Sequence, residues 1–99
     1  MKVLQNIFSE SREYYIDIQK RIEDKISQLP KGSVKEREIS GKKYYYLQKR
    51  EGKRVVHEYL GKEKPEALMK QISQRRALQE ELKQARKAVQ ILSKVDKKL

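Results

Sequence analysis

Residues 33–61, SVKEREISGKKYYYLQKREGKRVVHEYLG, decide the fold. Tyrosines and β-branched residues concentrate here, and Gly41, Gly52 and Gly61 interrupt them at intervals of eleven and nine residues, the spacing of strands joined by tight turns. The pattern predicts a three-stranded antiparallel β-meander over 33–61, with strands near 34–40, 43–50 and 53–60. The first strand has the poorest pattern, because VKEREI alternates weakly and is charged at its centre. Glu51-Gly52 is the expected two-residue turn between the second and third strands, since glycine accepts a positive φ. That turn sets Arg50 opposite Lys53, Lys49 opposite Arg54, Tyr46 opposite His57 and Tyr44 opposite Tyr59. One face then carries Tyr45, Leu47, Val56 and Leu60, and the other Tyr44, Tyr46, Gln48, Arg50, His57 and Tyr59. The aliphatic face has the fewest hydrogen-bonding tips to satisfy and is the one expected to be buried.

Helical patterns flank the meander. From Val3 to Leu29, the residues Leu4, Phe8, Tyr15, Ile18, Ile22 and Leu29 follow alternating steps of four and three, with Ser11 and Lys25 in the gaps. This predicts one apolar stripe on a helix over 3–29. Pro30 and the following Lys31-Gly32-Ser33 end it, with the last turn near Gln28. After the meander, Pro65 suits a first helical position and Glu66 complements the helix dipole. No Gly or Pro follows, and Leu68, Ile72, Leu78, Leu82, Ala85, Val89, Leu92, Val95 and Leu99 recur mostly at three and four. A helix over 65–98 is about 50 Å long, too long to bury its stripe on three strands alone. The expected fold is therefore α+β and a single domain over 1–99: a long N-terminal helix, the meander, and a long C-terminal helix. The two helices pair as an antiparallel coiled coil, with the sheet at one end. Self-association of the C-terminal stripe with a second chain, giving a homodimer, is the rival way to cover it.

Composition narrows the function. Of 99 residues, 25 are Lys or Arg and 14 are Asp or Glu, giving a formal charge of +11. An acidic polymer is the natural partner of such a chain. The surplus is uneven: residues 1–30 hold five bases and five acids, whereas 31–64 hold eleven bases and five acids. The first helix is thus a neutral structural element. There is no cysteine and a single histidine, so neither disulfide, thiolate nor zinc-cluster chemistry is expected, and no metal or cofactor is implied. No apolar run approaches a membrane span, and MKVLQNIFSESRE is too charged for a secretory leader, which reads as a cytoplasmic protein.

Catalytic patterns fail one by one. Gly61-Lys62 is followed by Glu63, not Ser or Thr, so it is no phosphate loop. Six tyrosines suggest a nucleophile, yet no cleft or general-acid partners are implied around them. Glu51-Gly52-Lys53 has the acid-x-lysine form of some nucleases but lacks a second acid to hold a metal. His57 has no Ser or Cys to activate, and a strand position hydrogen-bonded to Tyr46 or water suits it better. The expected activity is non-enzymatic.

What remains is recognition. Lys49, Arg50, Lys53 and Arg54 surround the expected turn whichever face is buried, and Lys42 and Lys43 open the second strand. Tyr44, Tyr46, Gln48 and His57 lie on the face left open. Arginine grips phosphate or guanine, glutamine can read adenine, tyrosine can stack on a base, and a two-stranded ribbon fits the major groove. These ten residues are the expected nucleic-acid contacts, with DNA preferred to RNA. The competing explanations are ordinary: tyrosine is favoured in strands, charged turns block edge-to-edge aggregation, and the lysines of a long helix usually form its solvated side.

The stretch L-P-K-G-S … G-K-K-Y-Y-Y-L … R-E-G-K-R-V … Y-L-G-K, followed by a long charged helix, resembles a family of small basic bacterial proteins of unknown function associated with mobile elements. The resemblance spans residues 27–99 and implies a fold more than an activity. A second likeness is to the three-stranded DNA-binding modules of tyrosine recombinases and transposases. It implies reading positions at Tyr44, Tyr46, Gln48, Arg50 and Arg54, although this chain has longer helices and no catalytic domain. Two functions follow as expectations: a protein that offers a basic, tyrosine-rich hairpin to duplex DNA, or a phage- or plasmid-type interaction module that acts on a host protein such as a CRISPR nuclease.

Overall fold

The two prolines of the chain mark where helix gives way to sheet and sheet to helix. The computed structural model describes residues 2–98, in the order α1 (Lys2–Ser27), β1 (Ser33–Ile39), β2 (Lys42–Glu51), β3 (Arg54–Gly61) and α2 (Glu66–Lys98). Pro30 keeps Leu29 out of helical conformation, so α1 closes at Ser27 rather than reaching residue 29. Its last turn is finished by Ser27 Oγ donating to the Asp24 carbonyl at 2.6 Å and the Gln28 N–H donating to that of Lys25 at 3.2 Å. At the other boundary the Pro65 carbonyl accepts the Met69 N–H at 3.0 Å and starts α2.

The chain divides into two compact units. One comprises α1 with α2 from residue 76 onward; the other comprises residues 29–75. In the first unit the helices pack against each other, as the paired stripes predict. Ile22 and Ile26 meet Leu82 and Ala85, with Ile18 and Leu78 packed beside them. Ile26 takes the place that strict four-three alternation gave to Lys25, because i and i+4 share a helix face and the apolar side chain is the one buried there. Further along, the contact becomes polar. Asp96 accepts Ser9 Oγ at 3.4 Å and pairs with Arg12 at 3.3 Å, and Leu4 remains exposed. Glu23 accepts Gln19 Nε2 at 3.1 Å and Arg86 Nη2 at 3.3 Å. These contacts hold its carboxyl below the usual range, the Gln19 hydrogen bond first and Arg86 after it. Leu99, the last residue of the expected stripe, lies outside the described residues.

The second unit is built on a sheet of order β1-β2-β3, antiparallel throughout. The meander is as the sequence predicts; its second turn is not. Glu51 pairs with Arg54, so the turn residues are Gly52-Lys53 instead of Glu51-Gly52. Gly52 has φ +62°, and a two-residue turn that places glycine first takes its single positive φ at no steric cost. Pairing therefore slips by two residues. Arg50 stands opposite Val55, Lys49 opposite Val56, Gln48 opposite His57, Leu47 opposite Glu58 and Tyr46 opposite Tyr59. Beyond Tyr46 the register shifts, Tyr45 facing Gly61, which leaves Leu60 as the extra residue of a bulge. A slip of two keeps every side chain on its expected face. Tyr45 and Leu47 are buried, as is Ile72 of α2 in the same unit, and the Arg75 guanidinium donates to the Leu29 carbonyl at 3.0 Å. Gly32 sits against this sheet with φ +120°; a Cβ there would lie 2.7 Å from the Gln48 carbonyl oxygen and 2.9 Å from Leu47 Cδ1. Only glycine fits.

Candidate functional site

Strand alternation divides the charges of the meander. Through the observed register, Lys35, Arg37, Lys42, Arg50 and His57 share one face with Tyr44, Tyr46, Gln48, Val55 and Tyr59. Glu36, Glu38, Glu51 and Glu58, the carboxylates of the three strands, all share the other face with buried Tyr45 and Leu47. The three strands thus give the open face four formal positive charges, one histidine and no carboxylate. Lys35, Arg37, Lys42, Arg50 and His57 are exposed.

Three tyrosines form its centre. The Tyr46 and Tyr59 rings, directly opposite across β2 and β3, have centroids 5.4 Å apart, and Tyr44 lies diagonally at 6.4 Å from Tyr59. Cations stand over two of these rings: Arg37 at 5.4 Å from the Tyr46 centroid and Lys62 at 6.0 Å from that of Tyr44. Aromatic faces are electron-rich and hold such cations by electrostatics. Tyr59 is 54% exposed. Next to this cluster lies an open depression of about 380 Å³ lined by Gly32, Ser33, Gln48, Lys49, Arg50 and Val55.

The ten expected contact residues separate along these lines. Lys42, Tyr44, Tyr46, Gln48, Arg50 and His57 come together on the open face. Lys53 is in the turn and exposed. Lys43, Lys49 and Arg54 fall on the carboxylate-bearing face. Lys43 pairs with Glu36 at 3.2 Å and Lys49 with Glu51 at 3.7 Å, and the Glu36 hydrogen bond lifts the Lys43 amine above its ordinary value. The quartet Lys49, Arg50, Lys53 and Arg54 is therefore not one patch. Lys35, Arg37 and Lys62 belong to the open face although the expected contacts omit them. The signal for the first two is in VKEREI itself: its cations fall at odd positions and its carboxylates at even ones, so a strand must part them. Among the described residues there is no group of His, Asp or Glu able to hold a metal, and no helix long and apolar enough to cross a membrane.

Fold and face together define a class: a small α+β protein with a helix pair and a three-stranded meander whose open side is aromatic and cationic. The chain belongs to the family described as domain of unknown function DUF6788, which matches residues 13–84, all three strands included. No curated protein and no solved structure matches it.

Proposed function

We propose that this protein binds nucleic acid, without catalysis, by seating the phosphate backbone on the open face of its sheet. The observation that carries the reading is the segregation of the carboxylates: every strand carboxylate lies on one side, which leaves the cations and three tyrosines of the other side without an acidic neighbour. A polyanion approaching that side meets Lys35, Arg37, Lys42 and Arg50 with no strand carboxylate among them, and releases counterions as it docks. A duplex satisfies this arrangement through its phosphates, with Arg50 and Gln48 near base edges, and DNA is the expected ligand over RNA. The likeness to recombinase and transposase modules supports the same reading and a place on a mobile element. Arg54, one of the positions implied by that likeness, is on the opposite face here.

The test is an electrophoretic or anisotropy titration with duplex DNA between 25 and 200 mM salt. About four phosphate contacts give a slope of log affinity against log salt of roughly −3.6. A flat dependence, or no complex at low salt, ends the proposal.

One observation favours the rival reading of a protein-interaction module. Val3, Ile7 and Tyr14 fall on one line of α1 and are 70%, 51% and 62% exposed, an apolar line that a partner could cover. Protein retained on the immobilised chain after nuclease treatment, and lost from an Ile7→Ser/Tyr14→Ser variant, would support that reading.

A further inference from the structure

We infer that the Tyr44/Tyr46/Tyr59 cluster is a stacking platform for unpaired bases, so that single strands bind more tightly than duplexes; this rests on the nucleic-acid reading above and specifies its ligand. Three observations point there. The rings adjoin one another across two strands, 5.4 and 6.4 Å between centroids, so consecutive bases could each find an aromatic neighbour. The most exposed ring, Tyr59, is on an edge strand with 54% of its surface free, whereas buried tyrosine on this sheet is confined to Tyr45 on the far face. The cations Arg37 and Lys62 lie over the Tyr46 and Tyr44 rings at 5.4 and 6.0 Å from their centroids; a base stacking on either ring displaces the cation from its face, and the freed side chain is then within reach of the backbone phosphate, whereas Tyr59 has no such cation over it among the described residues.

A duplex cannot use this arrangement fully. Its base faces are already covered by neighbouring pairs, so tyrosine can touch only groove edges and sugars. A single strand exposes its π-faces and can satisfy rings and cations at once. Cross-strand tyrosine pairs also stabilise a sheet by themselves. That purely structural role predicts no dependence of binding on whether the ligand has bases, which is the basis of the test.

Three fluorescein-labelled probes are titrated into the full chain: a thymidine 12-mer and the same strand with abasic sites throughout, which are equal in phosphate number, and a twelve-base-pair duplex, which has twice as many. The thymidine strand is expected to bind at least fivefold more tightly than either of the others. Tyr59→Leu, which keeps an apolar strand residue but removes the π-face, should weaken the thymidine strand by ~5- to 100-fold while leaving the abasic strand unchanged. Tyr59→Phe should retain wild-type affinity. Equal binding of thymidine and abasic strands by the wild-type chain overturns the platform without needing any variant to fold. So does a duplex preference, or an equal loss on both strands in Tyr59→Leu. Those outcomes leave the nucleic-acid reading standing; failure of all three probes to bind removes that reading itself.

Discussion

The two faces of the sheet are made by the same three strands, yet they are organised for different ends. On the face with Tyr45 and Leu47, apolar residues are buried and two of the three strand cations are ion-paired, Lys43 with Glu36 and Lys49 with Glu51, while Arg54 stands opposite Glu51 in the register. On the open face, no carboxylate answers Lys35, Lys42 or Arg50, and Arg37 rests on a tyrosine ring. Folding alone does not require this difference. Exposed ion pairs contribute little to stability, so charges could be interleaved on both sides at similar cost. Like charges left together on one side and neutralised on the other instead favour an external anion.

Reversing charge on one face at a time separates these roles most sharply. Arg37→Glu/Arg50→Glu should lower affinity for any nucleic-acid ligand at low salt by on the order of 100-fold and reduce the salt slope by about 2. Lys43→Gln on the other side should change affinity by less than about twofold, its charge being already matched by Glu36. Similar losses from both variants would show that only total charge matters. The buried side should respond in stability. Leu47→Ala is expected to cost about 2–5 kcal/mol, read from the urea midpoint, through the lost side chain and the cavity left behind. Gly32→Ala should cost about 1–3 kcal/mol, from a φ that alanine tolerates poorly and a Cβ pressed on the Gln48 carbonyl. A binding defect in either variant at a temperature where it is fully folded would mean that the two faces are coupled.

How far this comparison could be read from the residues depends on what alternation determines. Pairing can slip by two and leave the faces unchanged, so Tyr45 and Leu47 on the covered side, and Tyr44, Tyr46, Gln48, Arg50 and His57 opposite, survive a misplaced turn. The turn itself was not legible, because Glu51-Gly52 and Gly52-Lys53 both contain the needed glycine and differ only in whether it comes first. The patch built around that turn fails for a separate reason: Lys49 and Arg54 look adjacent to Arg50 along the chain, but strand alternation sends them to the other side in either register. Arg37 went unnoticed for the opposite reason. Its strand has almost no hydrophobic pattern, and only the antiparallel pairing with β2 places it against Tyr46. In the helix pair, spacing alone puts Ile22 and Leu82 on the stripes that face each other, whereas which residues meet, including the polar contact of Ser9 and Arg12 with Asp96, needs the partner helix in place.

Smaller effects refine the contrast. Among the described residues, Ser40 is the non-glycine residue with positive φ, at +54°, in the turn before β2. Ser40→Asn should stabilise the unit by ~0.5–1 kcal/mol, since asparagine tolerates that conformation better. Affinity should be unaltered, and a gain in binding would mean that the open face is set by sheet stability as well as by its side chains.

The smallest expected effect is on the neutralised face. The Glu36 carboxylate, through its hydrogen bond and then its charge, raises the Lys43 amine above the ordinary 10.5. A raised folded-state value means that this contribution to stability is complete below the unfolded amine's pKa and disappears as pH climbs through the folded one. The stability difference between the wild-type chain and Lys43→Gln should therefore be constant from neutrality to about pH 9 and shrink above pH 10.5. Urea midpoints at pH 8 and pH 11.5 measure it. A difference that persists or widens at the higher pH would show that Lys43 acts through its methylene packing rather than its charge, and the neutralised face would then be defined by apolar cover alone.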